Sequence, residues 1–128
     1  MKYLVDTHAL LWWLFDSPKL SARARAVMAD RGNTLLVSSA SAWEISTKHR
    51  IGKLPEASVL LQDLPGWFSR AGFSELQVSL AHAVKAGQWQ SPHRDPFDRM
   101  IAAQSAIEQL PILGTDHVMQ TFGVVLVW

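Results

Sequence analysis

Residues 2–15, KYLVDTHALLWWLF, pass from a strand-like apolar run into a helix-like one, with one acidic residue between the two runs. The run Lys2–Val5 predicts a strand that is buried on both faces, and Asp6 follows it directly. Thr7–Phe15 is apolar nearly all round, which predicts a buried helix. A buried strand that feeds a helix is the first half of a βαβ unit, so this stretch predicts an α/β fold with a parallel sheet.

The rest of the chain repeats this alternation of short apolar runs and helical patterns. Further strands are predicted at Thr34–Val37, Leu76–Val78, Ile112–Leu113 and Val124–Val127. Further helices are predicted at Ala22–Asp30, Ala40–Arg50, Ser58–Arg70 with a break near Pro65, Leu80–Gln88, Pro96–Gln109 and His117–Thr121. Such an alternation is typical of βαβ units around one parallel sheet.

The helix that opens at Pro96 has the strongest local signals. Proline is favoured at the first helical position, where its missing N–H costs nothing. The apolar residues of this helix recur at a 3-4-3 spacing, which predicts one face toward the core. That predicted face consists of Met100, Ala103, Ile107 and Leu110.

Length and composition restrict the classes of protein that remain. A chain of 128 residues fits one domain, residues 1–128, with a hydrophobic core of its own. The absence of cysteine excludes disulfides, thiolate zinc sites and a cysteine nucleophile. We expect no membrane span and no leader peptide, and therefore a cytoplasmic protein. A net charge of +1 indicates that binding to a polyanion would depend on local basic patches.

Four acidic residues are predicted to meet at one edge of the sheet. Asp6 and Asp116 follow predicted strands, Glu44 lies in the helix after the second strand, and Asp98 lies in the first turn of its helix. The carboxyl ends of parallel strands line one crevice, where such folds bind ligands. Four carboxylates in one crevice repel one another unless a cation neutralises them. Their oxygen atoms suit Mg²⁺ or Mn²⁺ rather than zinc.

Each acidic residue also has a structural explanation. Asp6 and Asp116 can cap the helices that follow them. Two pairs have the spacing of a capping box, namely Ser41 with Glu44 and Asp95 with Asp98. Capping explains each acid separately but does not require that they converge, so the shared position after strands favours a joint site. Asp95 is assigned as an N-cap only.

Five blocks of the sequence match one family pattern. They are LVDTHALLW (4–12), VS (37–38) with AWEI (42–45), HRDPFDRMIAAQ (93–104), GTD (114–116) and VW (127–128). In these blocks the chain resembles the PIN-domain ribonucleases, specifically the VapC-type toxins of toxin–antitoxin modules. The acidic quartet of that family maps onto Asp6, Glu44, Asp98 and Asp116, and the segment Ala57–Gln90 carries little that matches.

The resemblance implies a PIN-like three-layer sandwich, with a central parallel sheet of about five strands flanked by helices. It also implies an endoribonuclease that depends on Mg²⁺ or Mn²⁺, cleaves RNA to 5′-phosphate and 3′-hydroxyl ends, and is inhibited by a cognate antitoxin. A homodimer, and contact with DNA only through the antitoxin, follow from the same resemblance. In this interpretation Asp6, Asp98 and Asp116 bind metal, and Glu44 binds a second metal or orients the attacking water.

Several other residues are candidates for contacts around this site. His93 and Arg94, in the loop before Asp98, are candidate phosphate contacts. Thr7 and Thr115 each adjoin a candidate ligand, and either could hold a carboxylate in place or merely begin a helix. Lys48 is expected to form an ion pair with Glu44, four residues earlier on the same helix. Arg99 is expected to face solvent or an interface, and the five histidines are expected to have structural or surface roles. One of Trp12 and Trp13 is expected to lie at an interface.

Two other functions are weighed against this one. An aspartyl-phosphate phosphatase would carry a second aspartate two residues after Asp6, where this chain has His8. A catalytically silent PIN-like module, acting through protein or RNA contacts, stays open because residues alone do not demonstrate turnover. Without metal, the clustered acids are expected to titrate as a coupled set with at least one raised pKa.

Overall fold

The computed structural model describes residues 1–128 and contains one sheet of five parallel strands in the order β3-β2-β1-β4-β5. The strands are β1 (Lys2–Val5), β2 (Thr34–Ser38), β3 (Phe73–Leu76), β4 (Ile112–Leu113) and β5 (Leu126–Val127). The helices are α1 (Thr7–Leu14), α2 (Ala22–Ala29), α3 (Ser39–Arg50), α4 (Ser58–Leu61), α5 (Leu64–Ala71), α6 (Leu80–Gln88) and α7 (Pro96–Glu108). Two 3₁₀ segments, Pro55–Ala57 and His117–Phe122, complete the chain. None of the helices has both the length and the apolar character needed to cross a membrane.

Strand β1 shows why both faces of the sheet are covered. Tyr3 and Val5 belong to a buried cluster on one face, and Leu4 belongs to a second cluster on the other. Successive side chains of a strand point to opposite faces, so a continuously apolar run can fill two cores at once. The predicted three-layer α/β sandwich of the PIN type is thereby confirmed.

The order of the strands determines where a crevice opens. From β1 the chain builds the sheet outward through β2 and β3, then returns to the other side of β1 for β4 and β5. The connections on the two sides of β1 therefore run in opposite directions. In open parallel sheets, ligands bind at this reversal, outside the carboxyl ends of the strands. Here that position lies beyond Val5 of β1 and Leu113 of β4.

The position of β3 was predicted incorrectly. The strand was predicted at Leu76–Val78, but it is Phe73–Leu76. Gly72 ends α5 in the left-handed conformation, with φ 79°, and the chain enters the sheet immediately after it. Only Phe73 of this edge strand is buried, so the alternating pattern that marks a strand is too weak to locate it.

The core face predicted for α7 was also partly wrong. Ile107 is 39% exposed and Met100 is only half-buried, whereas the buried residues run consecutively over Ile101–Ser105. Consecutive burial means that the middle of this helix is covered on most of its circumference. Contacts with α3 and α6, in addition to the sheet-side cluster, account for that wide coverage. The last strand is likewise shorter than predicted and begins at Leu126 rather than Val124.

Candidate active site

Asp6 serves as a helix cap and lines a pocket at the same time. Its Oδ1 accepts a hydrogen bond of 2.8 Å from the backbone N–H of Ala9, so Asp6 is the N-cap of α1. The residue is 8% exposed, at the point where β1 ends. One carboxylate oxygen is thus committed to the helix, and Oδ2 is left for other contacts.

Gly114 provides the space beside that second oxygen. A Cβ atom placed on Gly114 would lie 2.6 Å from Cγ of Asp6, a separation that real side chains do not adopt. The backbone there is held in register, because Asp6 donates its N–H to Leu113 and Gly114 donates its N–H to Val127. Glycine is therefore required for the end of β4 to approach Asp6. This role of Gly114 was not predicted from the sequence, although a glycine directly after a strand was a usable signal.

Glu44 reaches the pocket from helix α3. The helix begins at Ser39 with Ser38 as its N-cap, so the predicted capping box of Ser41 with Glu44 is absent. Glu44 is buried and forms an ion pair with Lys48 one turn later, as predicted. The Glu44 carboxylate is therefore free of any capping role and carries one cationic partner.

Thr7 links the first helix to the third. Its hydroxyl donates a hydrogen bond of 2.9 Å to the Ser41 hydroxyl, and both residues are buried. Thr7 does not hold a carboxylate, which was one of the two alternatives for it, but it does line the pocket. A substrate contact by Thr7 or by the half-buried Thr115 stays a prediction.

Asp98 does not cap helix α7, because Asp95 does so. Asp95 accepts hydrogen bonds from the N–H groups of Phe97 and Asp98 and is the N-cap of α7, as predicted. The Asp98 side chain is instead free to accept a hydrogen bond of 2.8 Å from Nε2 of His93. His93 therefore contacts a candidate ligand directly, and Arg94 beside it is exposed.

Asp116 reaches the pocket from the loop after β4. Its Oδ1 accepts the N–H of Val118 at 3.0 Å and caps the 3₁₀ segment that begins at His117. Both the capping interpretation and the predicted position beside the other acids therefore apply to this residue. As in Asp6, one oxygen is committed to the backbone.

The four acidic side chains line one narrow pocket at the reversal point of the sheet. Its lining residues are Asp6, Thr7, His8, Glu44, Asp98, Ile101, Asp116 and Met119. Its volume is about 10 Å³, roughly what a single water molecule requires. The convergence predicted from the topology is thus present. His8, to which the sequence assigned only a structural or surface role, also lines this pocket.

The electrostatics of the pocket are those of crowded carboxylates. The pKa of Asp6 is raised from 3.8 to about 6, chiefly by burial, against the opposing effects of the Ala9 N–H and of His8. The charges of Asp98 and Asp116 raise it further. The pKa of Asp98 is also raised, chiefly by burial, although its hydrogen bond to His93 opposes the change. The raised pKa values of Asp6 and Asp98 agree in direction with the expectation for clustered acids.

The donor atoms of the pocket fit a hard divalent cation. All four acids offer oxygen, and sulfur is absent from the pocket except in the thioether of Met119. In the arrangement described, no group of three or more His, Asp or Glu side chains is close enough to hold a metal ion. Lys48 and His93 instead neutralise or hydrogen-bond two of the carboxylates. The set is chemically suited to a cation but is not closed around one.

Arg99 organises the loop that carries His93. Its guanidinium donates four hydrogen bonds, of 2.6 to 3.2 Å, to backbone carbonyls of the segment 86–93. The carbonyls belong to Ala86, Trp89, Ser91 and His93. The prediction that Arg99 faces solvent or an interface was therefore wrong. The planar, five-donor guanidinium is suited to gathering several carbonyls at once.

Comparison with known proteins agrees with this architecture. The PIN domain family model matches residues 3–122. A 71-residue segment is 41% identical to Ribonuclease VapC16 of Mycobacterium tuberculosis, covering 52% of this chain and 50% of that protein. The chain thus spans about half the length of this curated relative.

The fold is similar to that in the crystal structure of VapBC2 from Rickettsia felis bound to a DNA fragment from their promoter. The TM-score is 0.73 at 16% identity, and the match covers 99% of this chain and 98% of that one. At this identity the similarity concerns the fold alone. The family match extends from β1 to the end of the 3₁₀ segment after Asp116 and includes all four acidic residues. The chain therefore belongs to the PIN-domain family.

Proposed function

We propose that this protein is an endoribonuclease that depends on Mg²⁺ or Mn²⁺ and acts as the toxin of a toxin–antitoxin pair. The observation that supports the proposal best is the meeting of Asp6, Glu44, Asp98 and Asp116 in one pocket of a PIN-family fold. The sequence similarity to a ribonuclease of the VapC type supports RNA as the substrate class.

The acidic residues have distinct roles in this proposal. Asp6, Asp98 and Asp116 would hold the cation, and Glu44 would hold a second cation or orient the attacking water. A bound divalent cation would supply activated water and neutralise charge on the phosphate. Because the pKa values of Asp6 and Asp98 are raised, cation binding would displace protons wherever these carboxyl groups are still partly protonated, which for Asp6 is around pH 6. His93 and Arg94 would contact the phosphate backbone, and the ion pair with Lys48 orients Glu44.

The partners follow from the same comparisons. We propose that a cognate antitoxin binds the protein and blocks the pocket, that the toxin forms a homodimer, and that DNA is contacted only through the antitoxin. The similarity of fold to VapBC2 is the support for a complex of this type. We place the protein in the cytoplasm, where its RNA substrate is found.

One observation favours a second candidate, a catalytically silent binding module. Lys48 and His93 already engage two of the four carboxylates, and no three acidic groups are close enough together to hold a metal ion in this arrangement. A protein that kept the acids only for capping and internal ion pairs would have this arrangement. Such a protein would bind its partners without cleaving RNA.

A cleavage assay separates the two candidates. Purified, antitoxin-free protein is incubated with a mixed cellular RNA pool in Mg²⁺ or Mn²⁺, and in EDTA, alongside the Asp98→Asn variant. The proposal predicts discrete cuts that require metal and are lost in Asp98→Asn. Asp63→Asn is the matched control, because Asp63 caps α5 away from the pocket and asparagine caps equally well. Folded, metal-binding wild-type protein that leaves every RNA intact would favour the silent module.

A further inference from the structure

Trp43 is an exposed tryptophan on helix α3 that directly precedes Glu44 in the sequence. Its side chain is 58% exposed, and its ring meets that of Phe97 edge to face, with centroids 4.7 Å apart at 72°. Tryptophan is a large apolar group, and leaving most of it in water forgoes the free energy of burial. The exposed face of the Trp43 ring is accessible to a ligand.

The two rings come from the same helices as two of the carboxylates. Trp43 immediately precedes Glu44 on α3, and Phe97 immediately precedes Asp98 on α7. Consecutive Cα atoms lie about 3.8 Å apart, so each ring is anchored within one residue of a pocket carboxylate. Glu44 turns inward and is buried, whereas Trp43 faces solvent. The contact of Trp43 with Phe97 therefore joins α3 to α7, the two helices that carry Glu44 and Asp98.

The helix surface next to Trp43 is hydroxylic. The α3 residues one turn away from it are Ser39, Ala40, Ser46 and Thr47, which are all small and mostly hydroxylic. The Ser39 hydroxyl also accepts a hydrogen bond from the N–H of Val78, which is 37% exposed. Bases stack on aromatic faces and form hydrogen bonds at their edges, so an exposed tryptophan with hydroxyl groups beside it suits a nucleobase.

Charge near the pair also suits a nucleotide. Arg94 is exposed and lies three residues before Phe97, in the loop that leads into α7. A ligand that fits this surface has a flat apolar face and an anionic linkage, as each nucleotide of a single strand does. The guanidinium can neutralise a phosphate while an aromatic ring stacks on the base.

We propose that Trp43 and Phe97 form a stacking platform for one base of a single-stranded RNA substrate, next to the phosphodiester that is cut. This inference rests on the proposed ribonuclease function and adds a residue that positions the substrate. Trp43 provides the stacking surface, and Phe97 supports the Trp43 ring from the side. Stacking of this kind tolerates different bases, so it contributes to affinity and to the register of the strand more than to sequence choice.

Binding measurements in an Asp98→Asn background test this directly. A fluorescently labelled single-stranded RNA that the wild type cleaves is titrated with Asp98→Asn protein carrying Trp43→Ala or Trp43→Phe. We expect Trp43→Ala to weaken binding roughly 10-fold and Trp43→Phe to retain most of the affinity. Val125→Ala is the control, because Val125 is 64% exposed and precedes β5, at the opposite end of the sheet from the pocket.

Abasic RNA distinguishes stacking from a general loss of affinity. A series of RNAs lacks the base at one successive position each. The proposal predicts one position near the cut at which removing the base weakens binding to the Asp98→Asn protein that retains Trp43. The loss of affinity there should equal the loss that Trp43→Ala causes with the intact RNA. At that position the two changes together cost no more than either alone, as expected when one contact is removed twice.

Three results would overturn the inference. The first is that Trp43→Ala binds RNA as tightly as Val125→Ala does while the wild type cleaves RNA. This result would leave the proposed function intact. Another is unchanged RNA binding with a change in oligomeric state by light scattering, which assigns Trp43 to a protein interface. The third is a folded wild type that neither binds nor cleaves RNA, in which case the proposed function fails as well. Circular dichroism establishes that each variant is folded.

Discussion

Gly114 illustrates how a single backbone position controls the geometry of the pocket. Any side chain there would collide with Asp6, whose own position is held by the cap on Ala9. We expect Gly114→Ala to lower the free energy of unfolding by about 1–3 kcal/mol, as overpacking of a close contact does, and to weaken Mn²⁺ binding. Urea unfolding and calorimetric titration measure the two effects.

Gly87→Ala is the matched control for that change. Gly87 lies inside α6, and a Cβ atom added there would have no neighbouring atom within 4 Å. Alanine at this position should therefore be neutral or stabilising by up to about 1 kcal/mol. Equal stability and equal Mn²⁺ affinity of the two glycine variants would contradict the role assigned to Gly114.

Asp6 gives the metal-free protein a specific dependence on pH. Its pKa is about 6 in the folded protein, against 3.8 as the ordinary value, so between these pH values the folded state binds more protons than the unfolded state. The free energy of unfolding should therefore fall as pH rises from about 4 to about 6, by roughly 3 kcal/mol from this group. The Asp98 pKa is raised in the same direction and adds to the slope.

The variant Asp6→Asn isolates this contribution. Asparagine still caps α1 but carries no charge, so in EDTA the variant should be more stable than the wild type at pH 7, with a shallower decline from pH 4 to 6. Urea unfolding at several pH values measures both quantities. Asp63→Asn should keep the wild-type slope, and an unchanged slope in Asp6→Asn would refute the assignment of the raised pKa.

Some of these residue contacts could be predicted from local spacing and others could not. The Lys48–Glu44 pair and the caps by Asp6, Asp95 and Asp116 depend only on neighbours within one helical turn. The contacts of Arg99 depend on the path of a loop up to 13 residues away, which no sequence pattern specifies.

Among the secondary-structure elements, α7 is tied to the segment 86–93 by four hydrogen bonds from Arg99. The four carbonyl contacts of Arg99 place His93 against Asp98. Lysine in this position keeps the positive charge but has fewer donors and no planar fork. We expect Arg99→Lys to lower the free energy of unfolding by about 1–3 kcal/mol and to speed amide hydrogen exchange in residues 89–94.

Hydrogen-exchange mass spectrometry identifies where the change occurs. Protection of β1 and β2 should be retained in Arg99→Lys while protection of the loop is lost. Arg23→Lys, at an exposed position of α2, is the control for a conservative arginine change. Loop exchange that matches the Arg23→Lys variant would contradict the role of Arg99 in ordering this segment.

Elements were predictable where local chemistry alone specifies them. Helix α7 begins at Pro96 as predicted, because proline and the Asp95 cap both favour a start there. Strand β3 was misplaced because an edge strand with one buried residue lacks a clear alternation. The exposed position of Ile107 was not predicted either. Which residues of α7 are buried depends on where α3 and α6 pack against it, and not only on the spacing of its apolar residues.

At the scale of the whole molecule, topology explains why the four acids meet. Their positions are separated by up to 110 residues, yet each lies after a strand or on a helix that packs at the same edge of the sheet. Convergence could be predicted because parallel strands direct their carboxyl ends to one side. The detailed arrangement of the carboxylates could not be predicted, because it depends on which carboxylate oxygen of each residue accepts a capping hydrogen bond.

Capping and convergence are two uses of the same carboxylates. Asp6 and Asp116 each use Oδ1 for a backbone N–H, and Asp98 is released from capping by Asp95. This division orients the acids rigidly while leaving oxygens for a cation. We expect Mg²⁺ or Mn²⁺ to raise the melting temperature of the protein, by an amount that grows with the logarithm of the cation concentration once this exceeds Kd. Scanning calorimetry with and without EDTA measures the effect.

We propose that Asp6, Asp98 and Asp116 act together as the ligands of one divalent cation, with Glu44 beside them. Calorimetric titration with Mn²⁺ at about pH 6, in two buffers of different ionisation enthalpy, tests this proposal. We expect saturable binding with proton release, weakened at least about 10-fold in Asp6→Asn, Asp98→Asn and Asp116→Asn and unchanged in Asp63→Asn. The proposal fails if wild-type protein binds no Mn²⁺, or if the three aspartate variants bind it as tightly as Asp63→Asn does.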